Sequence, residues 1–324
     1  MRRRRFSGSL ALLALAALAL ADRPLAAQDT EGGLWLLVPI GARAVGLGQA
    51  VVADAIGSES VWWNPAGLAR AQRREAAIHH SDTFLGEGDA VALVIPSSLL
   101  GVVSGSVNIL NFGEQELTTD PGGTIGTVLV RSFLFSGTYA TPIGDRLNAG
   151  ITYKIVQFRF DCSGPCLDPP SIPTTSAIDI GAQYDLRPIA PLWIGVLLRN
   201  LGPRLQVFDN EQADPVPTRL HIGMRYRYDD FRGAAEGATV NFSAELAGAL
   251  GFDSPASYYG VELDWHERVF FRSGYVREQS EGSGLSLGFG LSLGSLVLDV
   301  ARIFEGFSAD AGQAPTYLSL RYLF

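Results

Sequence analysis

Four histidines, two cysteines and a short glycine-rich string are the residues of this 324-residue chain whose types could carry chemistry. Spacing tests each of them. His79 and His80 are adjacent, and neighbouring side chains in a strand point to opposite faces, so the two cannot line one site. His221 and His266 stand apart from them and from each other. A Ser-His-acid hydrolase needs a nucleophile elbow, a Gly-x-Ser-x-Gly set between a strand and a helix, and none is visible. Gly46-Leu47-Gly48 begins a dinucleotide-like string, but position 51 is Val and no strand feeds the loop. Cys162 and Cys166 lie four apart with no histidine nearby, which leaves a metal site short of ligands. In an oxidising compartment that spacing points to a local disulfide tightening a loop. These tests predict no catalytic residues, no cofactor and no metal. A last set, Glu245, Glu262, Asp264, Arg225 and Arg227, falls at alternate strand positions, where it reads as charges that pair and are solvated on one inner face.

The elements that position these residues begin with an export signal. Met1 to Ala27 has a cationic start at Arg2–Arg5, an apolar run Leu10–Leu20 and small residues before a cleavage point. Cleavage after Ala21 or after Ala27 satisfies the small-residue rule, and Ala27 is favoured. The apolar run is shorter than the roughly 18 residues that a helical anchor needs. No later run is long enough either, although 47% of the chain is hydrophobic. A formal net charge of −8, with no basic cluster after the signal, argues against a nucleic-acid partner.

Alternation dominates the rest. Leu285, Leu287, Phe289, Leu291 and Leu293 share one face, against Ser286, Gly288, Gly290, Ser292 and Gly294 on the other. Leu220 to Tyr228 and Ile178 to Leu186 repeat the pattern. A soluble sandwich would turn the apolar face to a second sheet, whereas a membrane barrel would turn it to lipid. Connection lengths separate the two. Strands at 74–83, 88–96, 99–111, 128–141, 146–160, 175–186, 191–201, 217–229, 237–248, 256–266, 268–278, 282–293, 295–305 and 315–324 number about fourteen, an even count as bacterial barrels require. Short turns (Ser97-Ser98, Pro142–Asp145, Arg187–Ala190, and those near Glu267 and Gly294) alternate with long loops (Phe112–Thr127, Asp161–Thr174, Gly202–Val216, Glu305–Ala314). Outer-membrane barrels put short turns in the periplasm and long loops outside. Asp230–Glu236 is longer, and the loop near Glu87 shorter, than this rule asks.

The C-terminal strand adds a second mark. Leu318, Leu320, Tyr322 and Phe324 line one face and the chain ends on an aromatic, which resembles the signal by which barrel assembly machinery recognises its clients. The aromatic pair suits the girdle at the lipid boundary. Gly41–Ala69 is the part of the mature chain that does not read as β. Val51, Val52, Ala55 and Ile56 have helix-like spacing, Asn64 before Pro65 initiates a turn, Pro65 breaks a helix, and Gly67 permits a tight turn. A wide barrel leaves a channel unless something fills it, so this segment is placed in the lumen as a plug. Trp62 and Trp63 must then be buried, in the plug's packing or against a greasy ligand.

Gly41 to Ala50, followed by Trp63-Asn64-Pro65-Ala66-Gly67-Leu68, resembles the N-terminal signature of the PorV/PorQ family of outer-membrane proteins. That family is related to FadL-like long-chain fatty-acid transporters, which share the Asn-Pro-Ala element in a luminal hatch. Arg199-Asn200-Leu201-Gly202-Pro203 is similar to the same group. The resemblance implies a fourteen-stranded barrel plugged by its N-terminal segment. It also implies a role beside a secretion apparatus of the type IX kind, with translocon subunits or cargo as partners. The alternative from the FadL side is transport of hydrophobic compounds, with a small hydrophobic molecule in the lumen.

The expectation is an all-β transmembrane antiparallel barrel in the outer membrane, with lipid as its surroundings. Residues 1–27 form the signal, 28–72 the partly helical plug carrying Trp62, Trp63, Asn64, Pro65, Ala66 and Gly67, and 73–324 the barrel.

Overall fold

A computed structural model describes residues 31–324 apart from 98, 120–121, 165–171, 188, 207–212, 232–236, 253, 279–281 and 305–313. The signal segment and Cys166 lie outside the described residues, as do half of Asp161–Thr174 and most of Asp230–Glu236 and Glu305–Ala314.

Fourteen strands close into one antiparallel barrel. In chain order they are β1 (Glu75–Thr83), β2 (Gly86–Ser97), β3 (Gly101–Thr119), β4 (Gly123–Ile143), β5 (Leu147–Ser163), β6 (Thr174–Asp185), β7 (Leu192–Leu201), β10 (Arg219–Tyr228), β11 (Ala238–Gly248), β12 (Ala256–Trp265), β13 (Val269–Glu278), β14 (Gly282–Leu293), β15 (Leu296–Ile303) and β16 (Thr316–Leu323). Two further short strands, β8 (Leu205–Gln206) and β9 (Ala213–Asp214), form a separate ribbon in the connection from β7 to β10. Every neighbour is next in sequence except at the seam, where β1 pairs with β16 from Glu75↔Leu323 to Asp82↔Thr316.

Period-two alternation sorts the side chains. Leu285, Leu287 and Phe289 are exposed on the outer wall while Ser286 is buried inside, and Ile222, Met224, Tyr226 and Tyr228 face out while His221 faces in. An apolar outer belt on a sheet without edges satisfies every backbone group and meets lipid with carbon, which is how strands cross a bilayer. Among the described residues no helix is long and apolar enough to do so.

Two sequence expectations change. Phe112–Thr127 is mostly not a loop: β3 continues to Thr119 and β4 starts at Gly123. At 21 residues β4 runs about 70 Å at ~3.3 Å per residue, about twice what a spanning strand needs. The β3–β4 register shifts between Asn111 and Glu114, so alternation slips there and the strand pattern is lost from the sequence. The second change concerns Val51–Ile56, which is turn and irregular chain rather than helix. Val52 and Ala55 give backbone groups to side chains of the wall and of the plug, as described below. The helical pieces are α1 (Ala42–Gly46), α2 (Ser60–Trp63) and 3-10 turns at Leu34–Leu37, Gly57–Glu59 and Pro65–Arg70.

Candidate functional site

Residues 31–74 thread the lumen. Long connections mark one end of the barrel as external, and Glu31 and Gly32 lie there, with Gly32 N donating to Pro215 O and Arg219 paired with Glu31 at 2.5 Å. It leaves at the opposite end, where Arg74 and Phe324 exchange backbone hydrogen bonds. Three regions line its path, an apolar one towards the outside and two deeper ones on different walls.

The outer region is apolar. Trp35 stacks on Phe158 at 6.4 Å between centroids, and Phe158 meets Phe112 and Phe160 edge-on. Leu110, Leu134, Val156, Leu205 and Val216 complete the cluster. Phe112 and Phe158 share the inward parity of Leu110 and Val156, so the aromatics face the lumen. An ordinary barrel lumen is polar, and the wall around Trp35 and Phe158 is not.

The second region is a seat made of charge. Arg43 of α1 pairs closely with Asp54 and lies 3.6 Å from Glu262. Asp54 also takes Arg225 at 2.7 Å. Glu262 accepts from Arg272 at 2.6 Å, Arg272 reaches Asp299 at 2.7 Å, and Asp299 takes Arg321 at 3.1 Å. Seven side chains, six of them buried and Arg225 partly so, thus alternate in sign from β10 through the plug to β12, β13, β15 and β16. Such a chain contributes register more than net stability, since desolvation offsets attraction, but removing one member strands its neighbours. Burial acts to lower the Arg43 pKa, and Asp54, Glu262 and Glu59 outweigh it and raise it. Glu59 belongs to the plug and joins no ion pair of the chain. Its Oε1 is buried without a hydrogen-bond partner, and burial pushes it up to about 7 despite Arg321 and Arg43.

The third region holds the Asn-Pro-Ala element. Asn64 Nδ2 donates to Val52 O at 2.7 Å and reaches Ala182 O at 3.2 Å, while its Oδ1 accepts from Ala66 N at 3.1 Å. Gln183 donates to Val52 O and Ala55 O, and Glu245 accepts from Val52 N. Those bonds to wall side chains replace the helix expected at Val51–Ile56. Pro65 ends α2 and opens a 3-10 turn capped by Asn64. Gly67 lies in that 3-10 turn, its N donating to Asn64 O at 3.0 Å. A Cβ there would overlap Ala55 O, so what it supplies is room.

Glycine on the wall permits this close seating. Cross-strand pairs Gly150↔Gly181, Gly195↔Gly223 and Gly260↔Gly274 face inward, and a Cβ at each would overlap plug atoms of Pro65, Asn64, Val52, Leu47 or Gly48. Gly48 itself has φ +58° and lies against the backbone of β12 and β13.

Among the residues singled out by sequence, Trp62 and Trp63 are buried in packing: Trp62 meets His79 edge-on at 5.2 Å and Trp63 Nε1 donates to Ile40 O at 2.8 Å. Glu245, Glu262 and Arg225 hold the plug and are not a solvated wall. Arg227 instead pairs with Asp229 at 3.2 Å and Asp264 accepts from Glu267 N, both near the inner rim. His79 is buried and His80 exposed. Leu318, Leu320, Tyr322 and Phe324 all face out, with Tyr322 stacked on Phe324 at 5.7 Å. Cys162 lies near the end of β5. Gly284-Leu285-Ser286-Leu287-Gly288 matches the letters of a nucleophile elbow, but it lies inside β14, where no elbow forms. No cluster of three metal-ligating side chains occurs among the described residues.

Arg199-Asn200 is a bulge. Ile178↔Leu201 and Ile180↔Leu198 leave two residues of β7 opposite Asp179, and Asn200 takes φ +57°. Asp179 binds Asn200 N at 2.7 Å and Lys154 at 2.6 Å, closing the gap. Asp54, Arg272, Asp299 and Arg321 went unnoticed in the sequence, as did the seating roles of Arg43 and the wall glycines. For the wall residues the signal is charge or glycine at inward parity.

These features define an outer-membrane β-barrel whose lumen is plugged by its own N-terminal segment. Its fold is shared with several solved barrels. It matches the monoaromatic hydrocarbon channel CymD with a TM-score of 0.60 at 14% identity, over 89% of this chain and 98% of that one. It matches the toluene transporter TbuX of Ralstonia pickettii at 0.58 and 13%, over 88% and 98%. A FadL homologue of Pseudomonas aeruginosa gives 0.54 and 13%, over 88% and 98%. At such identities the likeness is one of fold. No protein-family model and no curated protein sequence matches the chain.

Proposed function

We propose that this protein passes small hydrophobic molecules across the outer membrane. The observation that carries the reading is the apolar, aromatic outer lumen around Trp35, Phe112 and Phe158, set above a seat of buried ion pairs. The first offers a greasy solute an entry that water-soluble solutes do not favour. The second bars the axial path to ions and sugars. Structural neighbours named as toluene transporters and a monoaromatic hydrocarbon channel support it. Uptake of a monoaromatic hydrocarbon into cells or liposomes carrying the protein tests it. Phe158→Glu, which places a charge in that cluster, is expected to cut uptake about tenfold or more. Unchanged uptake, or free passage of sugars through the parent, refutes the reading.

A second reading, a component associated with protein secretion, draws on the resemblance of Gly41–Ala50 and Trp63–Leu68 to the PorV/PorQ signature. The roles of Arg43, Gly46, Gly48 and Asn64 in seating the plug account for those residues without a secretion partner. Recovery of translocon subunits or cargo with the purified protein would favour it instead.

A further inference from the structure

The barrel's seam is its one junction without a hairpin. β1 and β16 are held by a ladder of eight residue pairs, Glu75↔Leu323 to Asp82↔Thr316, and by the exchange between Arg74 and Phe324. On its inner face the plug bridges both strands. Glu75 of β1 accepts from Ser58 N at 3.0 Å and from Ser58 Oγ at 2.6 Å. Ser319 of β16 accepts from Ala42 N at 2.8 Å and shares a hydrogen bond with His79 Nδ1 of β1, also at 2.8 Å. His79 and Ser319 are direct partners across the seam, and Trp62 covers the His79 ring. Ala42 and Val45 pack on Tyr317 of β16 and Ala301 of β15.

We propose that residues 42–62 are the clasp that closes this barrel, so that docking of the plug and zipping of β1 to β16 are a single event. The inference is independent of what the lumen conducts. A sheet edge left open exposes unpaired backbone groups, which lipid cannot satisfy. A segment that hydrogen-bonds to both edges from inside ties the ends without a covalent turn. Ser58 lies only 17 residues before Glu75, so the clasp for β1 is local, whereas Ser319 must arrive last.

The test uses the full chain with a disulfide across the seam, Ala76→Cys with Tyr322→Cys, at a direct register pair on the outer face. In this background Ser58→Ala with Ser319→Ala removes clasp hydrogen bonds. Asn64→Ala with Gln183→Ala removes the bonds from Asn64 to Ala182 O of β6 and Val196 O of β7 and from Gln183 of β6 to Val52 O, away from the seam. Each set is expected to lower by about 5 °C the temperature at which the compact gel form is lost. Oxidation should restore most of that loss for the Ser58/Ser319 set and little of it for the Asn64/Gln183 set. Equal restoration in both, or no loss from the Ser58/Ser319 set, overturns the proposal. If that set yields no folded barrel, refolding with the disulfide preformed decides: recovery supports the clasp, and failure to recover refutes it.

Discussion

Glu59→Gln is expected to make the barrel more stable at alkaline pH while leaving it unchanged at acidic pH. Glu59 is 2% exposed, and its Oε1 has no hydrogen-bond partner. Burial holds its carboxyl at about 7 against an ordinary 4.5, with Arg321 and Arg43 opposing and Asp299 reinforcing the shift. The folded state therefore keeps a proton that the unfolded chain releases. Stability from this group is complete below about 4.5, declines as pH rises, and is fully lost above about 7. Between its ordinary 4.5 and about 7, at ~1.36 kcal/mol per pH unit, the group's contribution falls by about 3 kcal/mol. Glutamine keeps the shape without the charge and removes that loss. Melting followed by gel mobility or strand circular dichroism between pH 4 and 8.5 reads it out. The variant should gain roughly 8 °C at pH 8 and match the parent at pH 4. A constant offset across the range, or a variant that is less stable at pH 8, would mean that Arg43 and Arg321 hold Glu59 ionised, and the reasoning fails.

Four further outcomes follow from the same geometry. Gly274→Ala, whose Cβ would fall within the backbone of Gly48, should cost about 1–3 kcal/mol or more and expose the plug to protease, whereas Gly137→Ala, with nothing within 4 Å, should be neutral. Arg43→Met leaves Asp54 and Glu262 short of a cation and should lose about 3–5 kcal/mol in urea or thermal unfolding. Deletion of Phe324, whose backbone closes on Arg74, should reduce the yield of heat-modifiable barrel in outer-membrane fractions. Alkylation of the unreduced protein should leave Cys162 and Cys166 unlabelled, and labelling after reduction should add two adducts by mass.

Strand positions were legible in the sequence because alternation is a local property. Leu285 to Leu293 announces its two faces with no reference to the rest of the chain, and thirteen other segments do the same. The reading weakened where a local irregularity intervened. At Phe112-Gly113 the register shift moves side chains to the other face, so the pattern that marks a strand breaks although the strand continues. Val51–Ile56 failed for a different reason. Its helix-like spacing competed with Glu245, Asn64 and Gln183, which take up the backbone groups of Val52.

The sequence by itself determined the class of molecule: an exported chain of about fourteen alternating strands, a terminal aromatic, and one glycine-rich segment left over to fill the interior. Only the tertiary structure decided how that segment is held. Arg43 meets Glu262 across 219 residues, and Ala42 meets Ser319 across 277. Nothing in the spacing of those residues along the chain encodes the encounter, because barrel closure, and not local conformation, brings them together. For the same reason Gly260 and Gly274 look like ordinary strand glycines until the backbone of Leu47 and Gly48 is found lying against them.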